Sequence, residues 1–157
     1  MMSRFQLKII CVSAAIIFFV TPLIAQDISI VEHLKSIESG DIDEAGSALR
    51  KLRTNYPDDP SVKFLDAVLS SDGISALTKY KRLLKDYPNS NYADAAVYRI
   101  FSYYYSIGSY SKAESYLTKL KSDYPSSPYI NAANRSIPDE PGVGNQAQVV
   151  QNTIEPT

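Results

Sequence analysis

Three phrases divide the middle of this chain: NYPDDP at 55–60, DYPNSN at 86–91 and DYPSSP at 123–128. Their prolines, Pro57, Pro88 and Pro125, stand 31 and 37 residues apart. Recurrence at that interval is the mark of a repeat array and outranks any other local signal. The residues upstream repeat as well. Ala45, Ala76 and Ala113 lie twelve places before each proline, Leu49, Tyr80 and Leu117 eight before it, and Leu52, Leu83 and Leu120 five before it. Spacings of four and three put these side chains on one stripe of a helix. The alanine lets a neighbouring helix approach closely, and the larger residues fill the groove around it. An apolar content of 45% is enough to bury a core throughout such an array.

The junctions have mechanical explanations. Proline cannot continue a helix and holds the residue before it in an extended conformation. Tyr56, Tyr87 and Tyr124 are therefore expected to leave the helix and lay their rings over the turn. Asp59 before Pro60, and Ser127 before Pro128, read as an N-cap followed by proline at the first helical position. Asn91 with Asp94, and Asp41 with Glu44, have capping-box spacing. Gly40-Asp41, Asp72-Gly73 and Gly108-Ser109 supply the tight turn inside each helix pair.

This pattern resembles the tetratricopeptide repeat. The fullest match is residues 94–127, with Val97, Ile100, Phe101 and Tyr104 on helix A, Gly108 and Tyr110 at the turn, and Ala113, Leu117, Leu120 and Pro125 on helix B. Val97 stands where the family most often has tryptophan, and Phe101 where a small residue is usual. Residues 60–90 form a degenerate unit about three residues short in helix A. Residues 27–59 form a first unit whose helix A is expected over 28–39. The turn wording is similar to bacterial periplasmic repeats of the BamD and YbgF types. The resemblance implies an all-α fold: a right-handed superhelix of about three helix hairpins (27–59, 60–90 and 91–127), closed by a capping helix over 128–137. About three units are needed before such a stack buries a continuous core.

The flanks differ from this array. Residues 1–8 carry Arg4 and Lys8 without an acid, residues 9–25 carry no charge, and Ala25 is a small residue beyond Pro22. That order is a secretory signal peptide cleaved after Ala25, with an uncleaved anchor as the alternative. Cys11 is the only cysteine. Lys8 and Ile10 before it do not make a lipoprotein box, so no lipid anchor is expected. Residues 138–157 are rich in proline, glycine and amides and read as a disordered tail or linker.

Chemistry is sparse. Without Arg4 and Lys8 the chain keeps 14 basic residues against 17 acidic, which argues against nucleic acid and anionic membranes as partners. His33 has no second histidine or cysteine beside it, so a polar surface role explains it better than a metal site or a general base. The acids Asp41, Asp43, Glu44, Asp58 and Asp59 sit at helix starts, where they favour the dipole. No nucleophile elbow or phosphate loop is present. No catalytic residue, cofactor or metal is expected.

The unusual residue is tyrosine, with twelve in the chain and no tryptophan. Tyr98, Ser102 and Tyr105 share one face of a helix at i, i+4, i+7. In the family this face lines the concave groove that takes peptides or partner helices, so these three are the candidate partner-binding residues; packing against the next helix is the competing role. The resulting expectation is a non-enzymatic, exported scaffold of the periplasm or cell envelope that binds a protein or peptide. The alternative is a structural envelope component, tethered by its N-terminus or belonging to a longer peptidoglycan-associated protein.

Overall fold

The computed structural model describes residues 28–134 and 137. Residues 1–25, read above as a signal peptide, and 138–157, read as a tail or linker, lie outside the described residues. Within them the chain forms α1 (Val31–Ser39), α2 (Ile42–Asn55), α3 (Pro60–Val68), α4 (Gly73–Asp86), α5 (Ala93–Ser106), α6 (Tyr110–Asp123) and the short α7 (Tyr129–Ala133). Each helix packs on its neighbour in the chain, and α7 touches both α5 and α6. The elements are three hairpins in series with a cap, as the repeat pattern requires.

Most of the periodic stripe is core, with Leu52 and Ala76 only half-buried. Ala45, Leu49, Tyr80, Leu83, Ala113, Leu117 and Leu120 are all buried. Helix α5 buries Ala93, Ala95, Ala96, Val97, Ile100, Phe101 and Tyr104, more residues than any other described helix. Helix α5 is apolar on most of its circumference because it has neighbours on three sides.

The three proline turns are copies of one conformation. Tyr56, Tyr87 and Tyr124 have φ of −139°, −139° and −132°, with ψ of 62°, 61° and 61°. Their amides still donate to Leu52, Leu83 and Leu120. Two residues after each proline, the amides of Asp59, Ser90 and Ser127 donate back to the tyrosine carbonyls at 3.3, 3.2 and 2.9 Å. The rings differ. Tyr124 reaches the preceding turn, Tyr87 lies beneath Lys63 with Nζ 5.8 Å from its centroid, and Tyr56 is 49% exposed.

Turns within the hairpins follow glycine. Gly40 and Gly108 have φ of 93° and 74°, the left-handed region that a Cβ disfavours. The following amides, of Asp41 and Ser109, donate to Ser36 at 2.8 Å and Tyr104 at 2.9 Å, closing a Schellman motif. The middle hairpin has no such glycine. Instead Asp72 caps α4 by accepting from the Ser75 amide at 2.8 Å, and that bond holds its carboxyl below the ordinary value.

Several expected helix starts move. Helix α1 begins at Val31 rather than at residue 28, because the Ile28 amide is taken by the Asp59 carboxylate at 3.0 Å while Ile30 is fully buried in a non-helical conformation. Asp41 makes no capping bond and accepts from the Ser39 hydroxyl. Tyr92, not Asn91, precedes the first residue of α5, and Asp94 accepts the Ala95 amide at 2.7 Å. Pro128 stands at the cap position of α7, although the Ser127 hydroxyl still accepts from Tyr129. The Asp59 cap holds as expected, accepting from Ser61 and Val62 at 2.8 and 3.2 Å.

Candidate functional site: the open face of α5

Helix A of the middle unit is short. Helix α3 has 9 residues and α5 has 14, a deficit of about 7.5 Å at 1.5 Å per residue. The second half of α5 therefore lacks a full-length partner on the α3 side. A hollow of about 310 Å³ opens there, floored by Ala67, Val68, Ala76, Leu77 and Tyr80. Arg99, Ser102, Tyr103 and Ser106 of α5 form its polar side.

Ser102 thus faces a cavity. The two tyrosines of its stripe turn elsewhere. Tyr98 stacks on Tyr129 of α7 at 5.1 Å between centroids and lies 6.3 Å from Phe101. Tyr105 tilts against Phe101 at 5.8 Å and meets Tyr110 edge-on at 5.5 Å. All three residues are half-buried. Of the three, only Ser102 lines the hollow, while Tyr98 packs at the α7 end of the helix.

Two residues of this face were not singled out by sequence. Arg99 is exposed, and no carboxylate or hydrogen-bond acceptor pairs with it among the described residues. Its charge is felt by Tyr80 and Tyr129. Burial pushes the Tyr80 phenol up to about 12, and Arg99 opposes that rise. Burial also raises Tyr129, assisted by the charges of Asp94 and Glu38. The second is Tyr103, which leans on Gly73: a Cβ there would come 2.9 Å from its Cε2. The three-residue shortage in unit two was the available signal for both, because it locates the vacancy beside them.

Other chemistry is thin. His33 is half-buried on α1. Among the described residues no group of three or more His, Cys, Asp or Glu side chains is arranged to hold a metal ion, and no helix is long and apolar enough to cross a membrane. On the helix-B side, Lys81 donates to the Tyr104 hydroxyl at 2.8 Å, which raises the lysine's pKa, and Lys112 lies over the same ring.

Hairpins of this length, joined by one repeated turn and sharing one core, define an all-α helical-repeat protein. The tetratricopeptide-repeat family model matches residues 35–59 and 94–127, two regions that support a place in that family. The stretch between those matches holds the shortened middle hairpin. No curated protein matches the chain. Repeats of this family are in general non-catalytic and mediate protein–protein binding.

Proposed function

We propose that this protein is an exported interaction scaffold of the bacterial cell envelope, holding a peptide or partner helix along the open face of α5. The observation that carries the reading is the hollow beside Ser102, where the Arg99 guanidinium, without an ion-pair partner among the described residues, and the hydroxyls of Ser102, Tyr103 and Ser106 border a largely apolar floor. Such a site buries an apolar side chain and orients a polar or anionic group beside it. Tyr98 and Tyr105 extend the surface on either side, offering ring area at low entropic cost. The charged-then-apolar order of residues 1–25 supports export, and the turn wording shared with periplasmic repeats supports the envelope. The superhelical winding of the stack belongs to the same reading.

The test has two arms. Affinity capture from envelope extract uses the wild-type chain, Ser102→Trp, which fills the hollow, and Arg99→Glu, which reverses its charge. Loss of a specific partner in both variants, with unchanged circular dichroism, is expected. Retention of that partner by both variants overturns the groove. Cell fractionation with N-terminal sequencing tests export; an intact Met1 in the cytoplasm overturns it.

A further inference from the structure

The edge of the stack carrying the proline turns has two grooves that should be equivalent, and they are not. The later one, between the turns at Pro88 and Pro125, is closed by two ties. Tyr124 donates its hydroxyl to the Pro88 carbonyl at 2.7 Å, and Ser127 donates to Asp94 at 2.7 Å. About 300 Å³ remains there. The earlier groove, between the turns at Pro57 and Pro88, measures about 660 Å³.

The cause is one substitution within the repeat. Asp94 stands six residues after Pro88; the residue six after Pro57 is Lys63. Ser90 corresponds to Ser127, and its hydroxyl oxygen is buried without a hydrogen-bond partner, since a lysine has replaced the carboxylate that would receive it. Lys63 instead donates to the Pro57 carbonyl at 2.7 Å and to Asp58 at 3.3 Å. That occupies the carbonyl corresponding to the one Tyr124 uses. Both ties are replaced, and the groove stands open.

Its lining is acidic and ring-rich. Asp58, Asp59 and Asp86 contribute three carboxylates to the lining, with Lys63 and Arg82 the cations beside Asp58 and Asp86, while Tyr56, Tyr87, Pro57, Pro60 and Pro88 supply flat apolar walls. Asp59 is committed to backbone amides. Asp58 meets Lys63 through one oxygen, and Asp86 meets Arg82 only at 4.0 Å. We propose that this groove docks an extended basic segment of a partner protein, an arginine or lysine head lying between Asp58 and Asp86 with its stem or a neighbouring proline against the tyrosine rings. Charge decides the occupant. The tail of this chain carries acids at Asp139, Glu140 and Glu155 and no base, so it is repelled. Stacking of a guanidinium or an aliphatic stem on tyrosine is favourable in such a setting.

The probe is the N-acetylated peptide amide Ala-Pro-Arg-Pro-Ala, with a glutamate version as control. It is titrated at low salt into the isotopically labelled chain, expressed from its full-length gene and processed by the cell. Saturable amide shifts confined to residues 56–60 and 86–90 are expected, together with at least a tenfold weaker affinity for the Asp58→Asn/Asp86→Asn variant. Asn89→Trp, which fills the groove without touching a carboxylate, is expected to abolish the shifts. The proposal is overturned by no saturable shift, by equal binding of the glutamate peptide, or by variants that bind as wild type does. Shifts appearing on α5 instead report the Ser102 hollow and also overturn it.

Discussion

Tyr124 donates its phenolic hydrogen to the carbonyl of Pro88, 36 residues earlier, at 2.7 Å. The residue that ends one helix thereby fastens its turn to the turn before it. Tyr124→Phe keeps the ring and removes the donor. A net loss of about 0.5–1.5 kcal/mol is expected, as for a hydrogen bond exchanged with water. Urea unfolding measures it; a variant as stable as wild type shows that the tie adds nothing.

Leu120 is fully buried at the fifth position before Pro125, whereas Leu52, at the corresponding place in the first unit, is half-buried. Leu120→Ala should cost about 2–5 kcal/mol, and Leu52→Ala clearly less. A three-hairpin array has little margin, so the first variant is expected to lose the cooperative thermal transition or move it down by many degrees. Equal effects at both positions would contradict the burial pattern.

Gly108 has φ of 74° with open space where a Cβ would stand, so Gly108→Ala strains only the backbone. The cost should be about 1–2 kcal/mol. Gly73 has no such positive φ; Gly73→Ala pushes against the Tyr103 ring. Its expected signature is a displaced Tyr103 resonance and a reshaped hollow beside Ser102. Chemical-shift mapping separates the two glycines.

Asp72 contributes to acid sensitivity. Its carboxyl is held below 3.8 by the Ser75 amide, so the folded state favours the ionised form. That contribution is complete above the unfolded value and disappears as pH falls through the lower folded value. Asp72→Asn should therefore unfold with a shallower dependence on pH below about 4. An unchanged acid limb in urea titrations from pH 5 to 2 would show that the cap does not titrate with folding.

The array was readable because its signal is redundant. Prolines, tyrosines and the alanine–leucine stripe each recur three times, and the turn conformation that they impose recurs within a few degrees. Helix starts were less readable. Asp41 and Asn91 have capping chemistry at capping spacing, yet Asp41 accepts from Ser39 and the cap of α5 falls on Tyr92, one residue beyond Asn91. Several acceptors near each helix start compete for few amides, and tertiary contacts choose among them. The Asp59–Ile28 bond, across 31 residues, is one such choice that no local pattern contains. At the candidate site, spacing placed Tyr98, Ser102 and Tyr105 on one face. It did not reveal Arg99, because a single charged residue on a helix carries no periodic signature; its meaning comes from the vacancy that α3 leaves.

That vacancy has a consequence for register. In a uniform stack every groove is equivalent to the next, and an elongated ligand can slide by one repeat at little energetic cost. With α3 at 9 residues beside α5 at 14, translation by one unit no longer maps the surface onto itself. A segment laid along the stack would then have one position of best fit, where the nine-residue helices α1 and α3 give way to the fourteen residues of α5.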